Sequence, residues 1–107
     1  MKHLLLTTIA AVLLEGTAFA DPIHDAAKNG NLALVQAGLE KGVDVNLKDA
    51  KSMQETPLHF AAEHGHTELC QFLLDNGARP SLTVRYRGKT PKVWAELGGH
   101  SECAAIL

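Results

Sequence analysis

The chain has 107 residues, with 10 Lys and Arg against 12 Asp and Glu and a formal net charge of −2. That length holds one domain, and a hydrophobic fraction of 46% supports a packed core, which excludes an intrinsically disordered chain. The near-neutral charge argues against a dedicated nucleic-acid binder, three Phe, one Tyr and one Trp are too few for a base-stacking platform, and two Cys are too few for a disulfide-framework mini-protein.

Residues 1–20 read as an address rather than as part of the fold. Met1-Lys2-His3 is a short positive start, Leu4 to Leu14 is an apolar run, and Ala18-Phe19-Ala20 has the small-x-small pattern of a signal peptidase site. Glu15 ends the run well short of the roughly 20 residues a membrane span needs. Cleavage is expected before Asp21. The protein is then exported, to the periplasm or the exterior, with no stable membrane anchor and no lipoprotein cysteine near the apolar run.

The remainder, 21–107, repeats with a period of about 34 residues. Thr56-Pro57 recurs as Thr90-Pro91, and Pro22-Ile23-His24 precedes Pro57-Leu58-His59 by 35. Ala26-Ala27-x-x-Gly30 matches Ala61-Ala62-x-x-Gly65, and Ala61-x-x-x-Gly65-His66 matches Ala95-x-x-x-Gly99-His100. Three repeats follow, at 21–49, 50–84 and 85–107.

Each repeat predicts a helix, a turn, a second helix and an irregular loop. Asp21, Thr56 and Thr90 are N-cap residues followed by Pro at the first helical position. Gly30, Gly65 and Gly99 stop the first helices where a left-handed residue is needed. The second helices are expected over Leu32–Lys41, Thr67–Asn76 and Ser101–Leu107, with Leu69, Phe72, Leu73 and Cys70 forming a buried stripe. Val43-x-Val45-x-Leu47 alternates, but is too short for a sheet of its own and suits an extended loop.

The segment Thr56-Pro57-Leu58-His59-Phe60-Ala61-Ala62-Glu63-His64-Gly65-His66 and its continuation from Glu68 to Ala78 resemble the ankyrin repeat. Repeat one departs from it with Asp21-Pro22-Ile23-His24, repeat three with Thr90-Pro91-Lys92-Val93, and the chain stops inside the last helix. The resemblance implies an all-α helix-turn-helix solenoid with projecting β-turn fingers, acting as a non-enzymatic protein-binding module. Carrying the family's variable surface positions across gives Met53 and Glu55 in the first finger. It gives Tyr86, Arg87 and Lys89 in the second, Glu63 and His64 on the middle inner helix, and Lys28 and Asn29 in repeat one.

His59, His64, His66 and His100 invite a metal hypothesis, but no Cys-x-x-Cys or His-x-x-x-His pair accompanies them. The resemblance implies structural work instead. His59 bonds backbone of its own and the adjacent repeat, His66 and His100 tie turns together, and only His64 is exposed. No metal or other cofactor is expected. Cys70 and Cys103 are out of register between repeats, since Cys103 matches Leu69, and stacked helices lie about 8–10 Å apart, so buried free thiols are favoured over a disulfide.

No nucleophile elbow, phosphate loop or H-E-x-x-H motif is present, so an enzyme is not expected. From Arg79 to Lys92 the chain carries Arg79, Arg85, Arg87, Lys89 and Lys92, with Tyr86 among them and no acid. A solvated loop explains such a run, and so does an interface hot spot on a projecting finger. The expected partner is a protein, with an acidic patch if the finger binds it, and the chain is expected to be a monomer. The competing readings are a His-based metal- or ligand-binding periplasmic protein using His64, His66 and His100, and a truncated repeat copy with little independent function.

Overall fold

The computed structural model describes residues 22–84 and 88–107. The signal-like segment, the Asp21 cap and the finger residues Arg85, Tyr86 and Arg87 lie outside the described residues. The elements in order are α1 (Pro22–Asn29), α2 (Leu32–Glu40), α3 (Pro57–Glu63), α4 (Thr67–Asp75), α5 (Pro91–Leu97) and α6 (Ser101–Ile106). They pair as three helical hairpins, and no strand occurs among the described residues. Each second helix is one residue shorter than the sequence predicts, because Lys41, Asn76 and Leu107 serve as C-caps.

The start signals work as their chemistry demands. Thr56 and Thr90 are extended, at φ −92° and −89°, and their hydroxyls accept from the backbone N–H of His59 and Val93. Of these two starts, repeat two closes a reciprocal capping box and repeat three does not, because His59 can return a bond to the Thr56 backbone and Val93 cannot.

The hairpins stack through their first helices, with α3 packed between α1 and α5. Buried Ala26, Ala27, Ala61, Ala62 and Ala95 leave room for these backbones to approach. Val35, Leu58, Leu69 and Leu73 fill the space between the inner and outer layers. In the outer layer α4 packs on α6, whereas α2 makes no comparable contact with α4. Val43, Val45 and Leu47 lie partly buried against the core, but a turn closed by Leu47 N–H donating to Asp44 O at 3.0 Å interrupts the extended loop expected there.

Directional bonds lock the stack. His66 Nε2 donates to the Lys28 carbonyl at 2.9 Å, and His100 Nε2 donates to the Glu63 carbonyl at 3.0 Å, each across one repeat boundary. Each ring passes over the turn glycine of the preceding repeat. A Cβ added to Gly30 would lie 2.7 Å from His66 Nδ1, and one added to Gly65 would lie 2.5 Å from His100 Nδ1. On the convex route, Asn46 Nδ2 donates to Gly77 O at 3.3 Å while its Oδ1 accepts from Arg79 N at 2.8 Å, tying consecutive loops.

Gly65 and Gly99 share a left-handed backbone, at φ +73° and +77°, but nothing lies within 4 Å of a Cβ on Gly99. Gly99→Ala is therefore expected to cost about 1 kcal/mol from backbone strain alone. Gly65→Ala should cost at least about 2 kcal/mol more, because it also displaces the His100 bond. Urea melts of the two variants measure the difference, and equal costs would contradict the interlocking role of His100.

Candidate functional site

Two fingers leave the stack between the hairpins. Each is closed at its base by a backbone bond of 2.9 Å, from Asp49 N to Glu55 O in the first and from Val84 N to Lys89 O in the second. The motif histidines hold these loops. His59 Nδ1 accepts from Thr56 N at 3.1 Å and pairs with Thr56 Oγ1 at 2.8 Å, so the ring proton sits on Nε2. That Nε2–H donates to the Lys89 carbonyl at 3.1 Å, at the base of the second finger. Burial lowers the His59 pKa, against the Lys89 and Leu82 carbonyls that favour the protonated ring. His24 makes a comparable Nε2 bond below the first finger, donating to Leu47 O at 2.7 Å.

The surface positions carried over from sequence divide into three groups. Met53 is 37% exposed on the first finger, and His64, Lys28 and Asn29 are exposed on the inner-helix side of the turns. His64 Nδ1 donates to Phe60 O at 3.1 Å, and its ring stacks on His66 with centroids 6.2 Å apart. Arg85, Tyr86 and Arg87 lie outside the described residues. Lys89 is half-buried, with its ammonium 5.3 Å from the centre of the Trp94 ring, so part of its charge is engaged within repeat three.

Glu55 corrects the sequence expectation. It is only 5% exposed, because the tight closure of the first finger turns its side chain inward rather than to the surface. There its carboxyl meets that of Glu63, which is half-buried at the end of α3. Burial, the Glu63 charge and a hydrogen bond to Glu63 push the Glu55 pKa up to about 7, while a bond to Ser52 pulls it down and the Asp49 charge adds to the rise. Buried beside a second carboxyl, Glu55 keeps its proton close to neutrality. Glu55 Oε2 is buried with no hydrogen-bond partner.

Cys70 on α4 and Cys103 on α6 are both free and fully buried. Although offset by one position in the repeat register, they meet in space, with Cys70 Sγ 3.8 Å from Cys103 Sγ. Among the described residues no group of three or more His, Cys, Asp and Glu side chains could hold a metal ion.

A family model for ankyrin repeats matches residues 23–107 as three copies. The chain belongs to the ankyrin repeat family. It is 45% identical over 82 residues to Dauer abnormal formation protein 25 of Caenorhabditis elegans, covering 77% of this chain and 21% of that one. It is 37% identical over 98 residues to human diacylglycerol kinase iota, covering 91% of this chain and 9% of the kinase. The human ASB11 ankyrin repeat domain superposes with a TM-score of 0.72 at 31% identity, over 80% of this chain and 38% of that structure. The chain thus spans about a fifth or less of these curated relatives. Ankyrin repeats are a general protein–protein interaction module and typically non-catalytic, and in the enzymes among the relatives they form a separate domain.

The carboxyl pair makes a pH-dependent prediction. The Glu55 pKa lies above its unfolded value of 4.5, so its contribution to stability is complete below 4.5 and is lost as pH rises through about 7. Glu55→Gln, which cannot ionise, should leave stability near pH 4.5 little changed. At pH 8 it should gain about 1–2 kcal/mol over the parent, after discounting for water that reaches the half-buried Glu63 carboxyl. Denaturant melts at both pH values check the sign, and a gain confined to the acid side would refute a Glu55 carboxyl that keeps its proton in the fold.

Proposed function

We propose that the chain is an exported, non-enzymatic ankyrin module that binds a protein partner through its fingers and inner-helix turns. The observation that carries this reading is the locked stack itself. Met53 and His64 stand exposed on a framework in which each repeat is tied to the next by an imidazole–carbonyl bond. A surface held in this way loses little conformational freedom on binding, which favours affinity. The half-buried Glu63 carboxyl lies between the first finger and the turn of α3, where it would favour a polar or basic group of the partner.

The second finger supplies the opposite sign. Arg79, Arg85, Arg87, Lys89 and Lys92 with Tyr86 form a run without acid, and Arg with Tyr is the pairing that interface hot spots draw upon. An acidic patch on the partner is the complementary surface. Export rests on the signal-like pattern of residues 1–20.

Two measurements test the proposal. Once a partner is captured by pull-down, simultaneous Arg85→Glu, Arg87→Glu and Lys89→Glu should weaken binding at least about tenfold and flatten its salt dependence. Unchanged affinity would remove the basic finger from the interface. N-terminal sequencing of the chain recovered outside the cytoplasm should begin at Asp21, whereas a cytoplasmic product retaining the apolar run would overturn export.

A further inference from the structure

We propose that Cys70 and Cys103 are a site of reversible disulfide formation that staples repeat three to repeat two. Both side chains are fully buried, on helices α4 and α6 that pack directly together, and their sulfurs are 3.8 Å apart. A disulfide needs the sulfurs at about 2.05 Å, so closure requires an approach of roughly 2 Å, which a side-chain rotation with a small shift of α6 supplies. Neither α4 nor α6 has a side-chain N-cap bond at its start, and α6 is the shorter of the two, at six residues against nine. Thr67 Oγ1 lies 3.2 Å from Cys103 Sγ and holds that thiol toward α4.

The chemistry needs an oxidant carrying a disulfide, such as oxidised glutathione. Burial pushes the Cys70 thiol up, so the closed protein reacts slowly and the first exchange occurs when α6 opens. One cysteine thiolate then attacks the glutathione disulfide, forming a mixed disulfide and releasing one glutathione thiol. The second cysteine, deprotonated, attacks the protein-side sulfur and displaces the other glutathione as a thiol. Two protein thiols have lost two electrons and two protons, and one glutathione disulfide has become two thiols. The product bridges positions 33 apart and encloses the second finger in the loop. The bond would therefore hold the shortest outer helix and the finger base together.

The test uses the full chain, reduced and then equilibrated with mixtures of reduced and oxidised glutathione. The expected product is a monomer lighter by about 2 Da, with a peptide map joining Cys70 to Cys103. Its melting temperature should rise by on the order of 5–10 °C over the reduced form. Low urea, which raises the population of locally opened forms before global unfolding, should speed the reaction. Stable glutathione adducts, a disulfide-linked dimer, or unmodified thiols in the most oxidising mixture would each overturn the proposal. Cys70→Ala and Cys103→Ala should each melt at one temperature in both oxidised and reduced buffer, and a remaining redox-dependent shift would also overturn it. If either variant fails to fold, the mass and peptide map of the parent chain decide alone.

Discussion

No repeat in this chain can bury its own apolar face, and everything else follows from how one repeat is held against the next. Hydrophobic contact alone is non-directional and would tolerate sliding. The imidazole–carbonyl bonds from His66 to Lys28 and from His100 to Glu63 remove that freedom, because each ring must lie over one turn and reach one carbonyl. Gly30 and Gly65 make room for those rings, and the buried alanines set the spacing of the inner helices.

The same coupling reaches the surface. His59 lies in the core of repeat two, yet its Nε2 proton fixes Lys89 at the base of the second finger. A change in the core stack therefore moves the finger, and the finger cannot be reshaped without touching His59. His59 and Glu55 titrate in opposite senses around this framework. Burial keeps the imidazole neutral and favours higher pH, whereas the raised Glu55 carboxyl favours lower pH. The fold thus carries two opposed pH dependences, in both of which desolvation is the leading cause.

Much of the architecture was legible in the residues because local chemistry and tertiary structure agree. Thr56-Pro57 and Thr90-Pro91 begin helices, Gly30, Gly65 and Gly99 end them, and the apolar stripe of α4 is buried at Leu69, Cys70 and Leu73. The surface was less legible. Glu55 has a charged side chain in a finger, which from sequence places it in water, but the closure of that finger carries it inward onto Glu63. Lys89 reads as a free cation until Trp94 is seen beneath it. The Asn46 side chain carries no signal in its own repeat, since both of its amide bonds are made to the next loop.

The amino-acid sequence by itself determined the repeat, its capping residues, its turn glycines and the all-α stack, because these depend on backbone preferences and on periodic burial over a few residues. Only the tertiary structure decided which side chains meet. Cys70 and Cys103 are offset by one position in the repeat register, and from sequence that offset separates them. The packing of α6 on α4 instead brings their sulfurs to 3.8 Å. Register describes equivalence between repeats, whereas contact depends on how two helix faces turn toward each other, and that orientation is set by the whole stack.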